Sequence, residues 1–287
     1  MKEKLTVVKV GGAVVEDEQQ LAQMLERFCS IEGPKVLVHG GGRRATKVAA
    51  ELGIETKMVD GRRITDGPML EVVTMVYGGL VNKHVVAALQ ALGVDAIGLC
   101  GADGDIIRSV KRPPVAVKST PKTALELCSL ATSGTQEHQS PQFIDYGFVG
   151  DVKKADGAKI ARFIEAGLIP VIAPLTHDGE GNILNTNADT MASETAKALA
   201  SLYDVTLIFS FEKPGVLSDP DNDLSVIPVI TRKSFEQYKA DGTISGGMLP
   251  KIENALSAVE AGVRQVIITQ ASAIGSQGGT MIRGDER

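Results

Sequence analysis

Short apolar runs alternate with segments of helical period along most of this chain. Residues 5–10, 169–174 and 265–269 are apolar stretches of strand length. Residues 17–31 instead place apolar side chains three or four positions apart, which predicts one buried helical face. A further helix is predicted near the end of the chain, at 247–261. The β-α-β-α alternation predicts an α/β fold with a mainly parallel sheet and helices on both of its faces.

Three segments depart from this alternation. Residues 68–92 have helical period but contain Gly78-Gly79, so they are predicted to form two helices or one bent helix. Residues 106–117, which contain Arg112-Pro113-Pro114, suggest a hairpin. Residues 132–142 are polar and lack a period, and with the segment before them they form a long connection of about 118–143, which we expect to be a mobile insertion.

Composition narrows the class of protein. Only 4% of residues are aromatic and there is no Trp, so the core must be built from Val, Ile, Leu and Ala. The net charge is 30 − 35 = −5, which argues against a nucleic-acid partner. Three cysteines without a CxxC pair indicate neither a disulfide framework nor a zinc site. Since no signal sequence and no apolar run of membrane-span length is evident, we expect a cytoplasmic protein without a membrane partner.

Several common motifs are missing from the sequence. No Gly-Lys dipeptide occurs, which excludes a Walker A loop, and no GxGxxG opens a helix. Residues 219–223 begin like a calcium loop, but Leu224 stands at the sixth position and Ile230 at the twelfth. The four His have no metal-ligand spacing, so no metal site is predicted.

Two motifs indicate a site for an anion. Lys9 lies at the carboxyl end of an apolar strand and precedes Gly11-Gly12, where ligands bind in open α/β sheets. His39 precedes Gly40-Gly41-Gly42 and a helix, so backbone N–H groups and the helix dipole could cradle an anion. Taken alone, Lys9 could instead reach water from an edge strand, and the glycines could form only a tight turn. For His39 we expect a structural hydrogen bond.

Two further candidates are ambiguous when taken alone. Asp189, in the segment NTNAD, could simply cap the helix that follows. Lys251, on the helix after SGGM, could be an ordinary solvated lysine.

The order of motifs is more specific than any one of them. The chain contains VKVGG, VHGGG, DGRRIT, GLCGADGD, FVGDV, LNTNAD, PGVL and SGGMLPKIENA. In this order they resemble the amino-acid kinase family over nearly the whole chain, except the insertion. DGRRIT and LNTNAD are similar to the branch that phosphorylates the γ-carboxylate of N-acetyl-L-glutamate in arginine biosynthesis.

The resemblance implies a single domain over residues 1–287, folded as a three-layer αβα sandwich. An N-terminal lobe, about 1–175, would bind the acylated amino acid and form a homodimer, and residues of about 176–287 would bind ATP with Mg²⁺. Lys9 and Lys251 would neutralise the transferring phosphoryl group, and Asp189 would hold both ammonium groups. Because the acceptor carboxylate is already ionised, this transfer needs positive charge rather than a base.

The resemblance also assigns the binding residues. Those implied for the acylated amino acid are Gly41, Gly42, Arg63, Asn185 and Asn187, with Arg63 as the partner of its α-carboxylate. Those implied for the nucleotide are Gly12, Glu212, Lys213, Gly215, Leu217, Gly247 and Met248. Glu212 stands where relatives usually carry aspartate, so the adenine and ribose contacts are the least determined part.

Three alternatives remain open at this stage. The acyl group could be succinyl, for which Arg62, Lys83 or Arg108 could supply charge. The chain could be an inactive sensor of an amino acid or nucleotide, although it retains Lys9, Asp189 and Lys251 together. A dinucleotide-binding oxidoreductase has the right sheet class but no fingerprint. Since Lys9 stands so near the start, the homodimer is expected to lack the extra helix and the arginine inhibition of hexameric relatives.

Overall fold

A computed structural model of the protein describes residues 2–59, 61–116, 143–276 and 278–285. The insertion predicted at 118–143 lies outside these ranges except for Phe143. Ala116 and Phe143 are antiparallel register partners in two short strands. The described residues on the two sides of the insertion therefore lie next to each other.

Eight strands form the central sheet, in the order β14-β16-β15-β13-β1-β2-β10-β5. Neighbouring strands run parallel except for β15 and β16. In chain order the strands of the described residues are β1 (Lys4–Val10), β2 (Lys35–His39), β3 (Met58–Val59), β4 (Arg62–Arg63), β5 (Ala96–Leu99), β6 (Ile107–Lys111), β7 (Val115–Ala116), β8 (Phe143–Ile144), β9 (Gly150–Ala155), β10 (Ile169–Ile172), β11 (Leu175–His177), β12 (Ile183–Asn185), β13 (Asp204–Phe211), β14 (Val229–Ile230), β15 (Gln265–Gln270) and β16 (Thr280–Ile282).

Helices cover the sheet, and several of them begin at a side chain that caps the first turn. Asp17 accepts a hydrogen bond from the Gln20 amide at 2.9 Å, and Asp66 accepts one from the Met69 amide at 3.0 Å. The helices are α1 (Gly12–Glu16), α2 (Glu18–Ser30), α3 (Gly42–Glu51), α4 (Gly67–Val73), α5 (Asn82–Ala91), α6 (Gly157–Glu165), α7 (Ala188–Ala200), α8 (Arg232–Ala240) and α9 (Met248–Glu260).

The core forms two layers, one on each face of the sheet. Along β2, Val36 and Val38 belong to one buried cluster, whereas Leu37 belongs to the other. Successive side chains of a strand point to opposite faces, so a strand buried on both sides reads as a continuous apolar run. This arrangement confirms the predicted α/β sandwich with a mainly parallel central sheet.

The stretch predicted as bent or double is one continuous helical segment. A π-helix, Thr74–Val81, joins α4 to α5 and contains Gly78-Gly79. By length and composition alone, Gly67–Ala91 could cross a membrane. Many of its apolar residues, such as Val73 and Val85, are however buried in the core cluster that also contains Leu37. Burial in that core accounts for part of the apolar composition.

The prediction of a hairpin within 106–117 is wrong. β6 pairs antiparallel with β9, and β7 pairs with β8. Pro113 and Pro114 lack the amide hydrogen needed for a ladder, so pairing stops between β6 and β7. A four-stranded sheet, β12-β11-β6-β9, forms beside the main one.

Candidate active site

Two glycine-rich turns meet at the carboxyl edge of the central sheet. Gly11-Gly12 follow β1, and Gly40-Gly41-Gly42 follow the adjacent β2. A Cβ added at Gly40 would lie 3.0 Å from the Gly12 amide nitrogen, and one at Gly41 would lie 2.9 Å from the Tyr77 ring. Only glycine permits this close approach, which gathers the backbone N–H groups that begin α1 and α3.

An ion pair lies beside these turns. Lys9 Nζ is 2.7 Å from Asp189 Oδ1, and the two side chains are 15% and 36% exposed. Asp189 does not cap its helix. Instead, the Asn187 side chain caps α7 by accepting from the Asp189 and Thr190 amides at 2.8 and 3.1 Å. The Asp189 carboxylate is thereby left to neutralise a lysine that emerges from a buried strand.

Lys251 brings a second cation to the same cavity from the first turn of α9. Its Nζ lies 3.8 Å from the centroid of the Phe211 ring. Desolvation and the charge of Lys9 lower the pKa of Lys251, while Asp189 and Glu212 act in the opposite direction. The structure therefore brings together the three predicted catalytic residues, which are far apart in sequence.

Two cavities meet at the glycine turns. The larger, of about 910 Å³, is lined by Lys9, Lys251, Phe211 and Glu212 among others. The smaller, of about 240 Å³, has Arg63 in its wall. Gly12 and Gly42 line both cavities. Two ligands could thus meet at the point where the N–H groups and the ammonium groups converge.

Arg63 is buried at the wall of the smaller cavity. One terminal nitrogen, Nη2, donates to the Gly42 carbonyl and to Thr46 Oγ1, both at 2.8 Å. The other, Nη1, donates to Thr56 Oγ1 at 3.2 Å. Arg63 therefore joins β4 to the start of α3. Of the neighbouring arginines it is the fixed one, since Arg62 is exposed.

The remaining predicted substrate residues also line the smaller cavity. Asn185 donates from Nδ2 to Thr65 Oγ1 at 2.9 Å, which joins the LNTNAD and DGRRIT segments. Gly41, Gly42 and Asn187 lie in the same wall. The motifs that identify the branch by sequence thus surround one cavity.

Sequence reasoning missed an arginine of this cavity. Arg112 Nε lies 3.0 and 3.1 Å from the two Asp151 carboxylate oxygens, and its Nη2 makes a further contact with Oδ1. Arg112 also lies over the Tyr146 ring. Among the earlier candidates for acyl-group charge, Arg62 lines the cavity. Lys83 contacts the Gly98 carbonyl and Arg108 contacts Asp105, both away from the cavity lining.

The predicted nucleotide residues are divided between two places. Gly12 and Glu212 line the larger cavity, where Glu212 pairs with Arg43 at 3.3 Å. Lys213, Gly215, Leu217 and Met248 line a neighbouring pocket of about 140 Å³, and Gly247 immediately precedes α9. Phe211 belongs to both linings and separates the two spaces.

Metal ligands were not expected from the sequence. Within the described ranges, no group of three or more His, Cys, Asp or Glu side chains could hold a metal ion. The carboxylate nearest the two lysines, Asp189, is engaged with Lys9.

Glycine-rich turns and two lysines lie at the carboxyl edge of a mainly parallel sheet, an arrangement suited to phosphate groups and so to a phosphotransferase of the α/β class. The amino acid kinase family model matches residues 4–270, and the chain belongs to this family.

Relatives with curated names point to one branch. An acetylglutamate kinase of Bacteroides thetaiotaomicron is 59% identical over 283 residues, covering 99% of this chain and 100% of that protein. An acetylglutamate kinase of Parabacteroides distasonis is 56% identical over 280 residues, covering 98% and 99%.

Solved structures share the fold. A protein of Streptococcus mutans UA159 aligns with a TM-score of 0.68 at 30% identity, covering 98% of this chain and 99% of that one. Carbamate kinase from Giardia lamblia bound to AMP-PNP aligns with a TM-score of 0.64 at 15% identity, covering 99% of each chain. At that identity the second likeness concerns the fold alone.

Proposed function

We propose that this chain is an acetylglutamate kinase, which transfers the γ-phosphoryl group of ATP to the γ-carboxylate of N-acetyl-L-glutamate in arginine biosynthesis. The observation that carries the proposal is the convergence of Lys9, Asp189 and Lys251 beside the junction of two cavities. The names of relatives at up to 59% identity agree with it.

The reaction requires little covalent chemistry from the protein. A γ-carboxylate oxygen forms a bond to the γ-phosphorus while the bond from that phosphorus to the bridging oxygen of ADP breaks, giving an acyl phosphate and ADP. The carboxylate is ionised at neutral pH, so no proton has to be removed. What the site must supply is in-line positioning and positive charge for the phosphoryl oxygens.

The two lysines divide that task. Lys9, at the end of β1, faces the transferring phosphoryl group from the acceptor side, and Lys251 faces the leaving oxygen from α9. Asp189 bonds Lys9 directly and attracts Lys251 through its charge, so it helps to hold both cations at the site without acting as a base. Gly12, Gly41 and Gly42 direct backbone N–H groups toward the phosphoryl group and the acceptor.

The smaller cavity would hold the acylated amino acid. Arg63 would pair its α-carboxylate, for which a fixed guanidinium fork is suited. Asn185 would hold the amide or carboxylate, and Asn187 the turn that carries it. The cavity volume of about 240 Å³ is compatible with one small acyl-amino acid.

ATP would occupy the larger cavity. Its phosphates would lie near Gly12 and Lys251, and Glu212, Lys213, Gly215, Leu217, Gly247 and Met248 would form the nucleotide side. Since the described residues offer no metal cluster, Mg²⁺ would be held mainly by the nucleotide phosphates, with water completing its coordination. When bound, Mg²⁺ would reduce the repulsion between the phosphates and the acceptor carboxylate.

At the level of the whole chain, we propose a single domain with an acyl-amino-acid lobe of about residues 1–175. The lobe of about 176–287 would bind ATP. The enzyme would work as a cytoplasmic homodimer that arginine does not inhibit.

Acyl-phosphate formation, trapped with hydroxylamine, tests the function directly. N-acetylglutamate, N-succinylglutamate, glutamate and aspartate are compared at equal ATP. The highest kcat/KM is expected for N-acetylglutamate. A higher kcat/KM for N-succinylglutamate would reassign the acyl group. If no acyl phosphate formed with any of the four compounds while the nucleotide still bound, the result would support a sensor instead.

A further inference from the structure

The aromatic partner of Lys251 is the least expected feature of the site. Phe211 is the last residue of β13, and Lys251 lies in the first turn of α9, yet the ammonium sits 3.8 Å from the ring centroid. Both side chains line the larger cavity. The contact therefore joins a strand end to a helix start at the proposed site of phosphoryl transfer.

The nearby carboxylates are occupied by other cations. Asp189 bonds Lys9 at 2.7 Å, and Glu212 pairs with Arg43 at 3.3 Å. Within the part of the chain that the structure describes, no carboxylate lies within 4.0 Å of Lys251 Nζ. The face of the Phe211 ring is the close partner of this ammonium group.

A ring and a carboxylate would fix a lysine in different ways. The negative face of an aromatic ring attracts a cation without cancelling its charge. A carboxylate at the same place would add a second negative charge near the leaving oxygen. A lysine side chain is also long and flexible, so an unheld ammonium would lose conformational freedom at each turnover.

We propose that Phe211 is a positioning residue, which holds the Lys251 ammonium at the phosphoryl-transfer end of the cavity through the face of its ring. This inference rests on the proposed function, since it concerns the cation at the leaving oxygen. The role belongs to turnover rather than to substrate affinity.

A competing role is visible in the same structure. Phe211 also lines the pocket of about 140 Å³ that contains Leu217 and Met248. If the ring served only as an apolar wall for the nucleotide, its loss would raise KM for ATP and leave kcat unchanged. A positioning role predicts the reverse.

Substitutions at position 211 separate these roles. Phe211→Leu keeps an apolar side chain of similar size and removes the ring, so kcat should fall about tenfold. KM for ATP and for N-acetylglutamate should stay within about twofold. Phe211→Tyr keeps the ring and should restore kcat. Phe163→Leu, in a partly buried residue packed on the same core cluster, is the matched control and should leave kcat unchanged.

Fluorinated phenylalanines at position 211 test the cation attraction itself. Successive fluorine atoms withdraw charge from the ring face while its shape is nearly kept, so log kcat should fall stepwise with their number. Full kcat with a trifluorinated ring, or a Phe211→Leu change confined to KM, would overturn the inference while the wild type remains active. A wild type that forms no acyl phosphate would overturn the proposed function, and this inference with it.

Discussion

The Lys9–Asp189 pair is the residue-scale feature on which the proposed chemistry depends. Lys9 emerges from a strand whose neighbours, Val8 and Val10, are fully buried. Asp189 compensates its charge at 2.7 Å while both groups keep some access to the cavity. The pair can therefore exist in the folded protein and still meet an anion.

Removal of the Lys9 ammonium tests that role. Lys9→Ala should lower kcat about 10²–10³-fold, as loss of one preorganised donor does, and change KM for ATP less. Lys4→Ala, in an exposed residue at the start of the same strand, should change neither. Near-normal turnover by the Lys9 variant in a steady-state assay would remove Lys9 from the mechanism.

Arg63 and Arg62 form a second residue-scale test. Both line the smaller cavity, but only Arg63 is buried and held by three oxygen acceptors. Arg63→Ala should raise KM for N-acetylglutamate at least tenfold, about the value of one charge-assisted contact. Arg62→Ala is the control. A larger KM increase for Arg62→Ala would exchange the two assignments.

At the scale of elements, a buried histidine joins the end of β2 to the long helical segment. His39 Nδ1 donates to the Gly40 carbonyl at 2.7 Å, and its Nε2 accepts from Asn82 Nδ2 at 3.1 Å. Asn82 also donates to the Val171 carbonyl at 2.9 Å. The structural hydrogen bond expected for His39 is thus confirmed, and it fixes the first glycine of the anion-binding turn.

Acid should weaken the fold through His39. Burial lowers its pKa to about 4 from an ordinary 6.5. Between these values the unfolded chain binds the extra proton, so the free energy of unfolding should fall as pH drops from 6.5. At pH 5 the titration of His39 should have lowered the free energy of unfolding of the wild type by about 2 kcal/mol. A His39→Gln variant lacks this pH-dependent contribution. Urea titrations of both proteins measure the difference, and parallel pH dependences would contradict the assignment.

The cap of α7 links helix stability to catalysis. Asn187 accepts two amide hydrogen bonds and so fixes the start of α7, whose first turn carries Asp189. Asn187→Ala should lower the free energy of unfolding by about 1 kcal/mol and also lower kcat. Thr231→Ala removes the cap of α8 and should cost similar stability without lowering kcat. If the two variants had equal kcat values, the cap of α7 would have no part in catalysis.

At the scale of the whole molecule, the helical segment Gly67–Ala91 has an exposed apolar surface as well as a buried one. Met75 and Leu80 are 53% and 48% exposed and lie five residues apart, about one turn of the π-helix. A second copy of the chain in the proposed homodimer would cover such a surface.

Light scattering tests the assembly. The wild type should have twice the chain's mass of 30.2 kDa, and the double change Met75→Glu, Leu80→Glu should lower it to that of one chain. Leu224→Glu, in an exposed loop residue, is the control and should leave the dimer intact. A hexamer mass, or inhibition by sub-millimolar arginine, would contradict the proposed assembly.

The longer regular elements were predictable because each depends on nearby residues. β1 and α2 follow from apolar periods, and the helix starts follow from side chains such as Asp17. The pairing of β6 with β9 was not predictable, because it joins residues on opposite sides of the insertion. Arg112 and Asp151 also lie on opposite sides of the insertion along the chain, and no local pattern marks that pair as part of a cavity.

The sequence by itself determined the α/β class, the glycine turns, the family and the names of the candidate residues. These depend on local period and on the order of motifs, both of which can be read along one chain. Only the tertiary structure decided that Asn187, and not Asp189, caps α7, that Asp189 bonds Lys9, and that the Lys251 ammonium lies over the Phe211 ring. The physical reason is that each of these contacts depends on where distant strands and helices end in space, and parallel pairing brings those ends to one edge of the sheet.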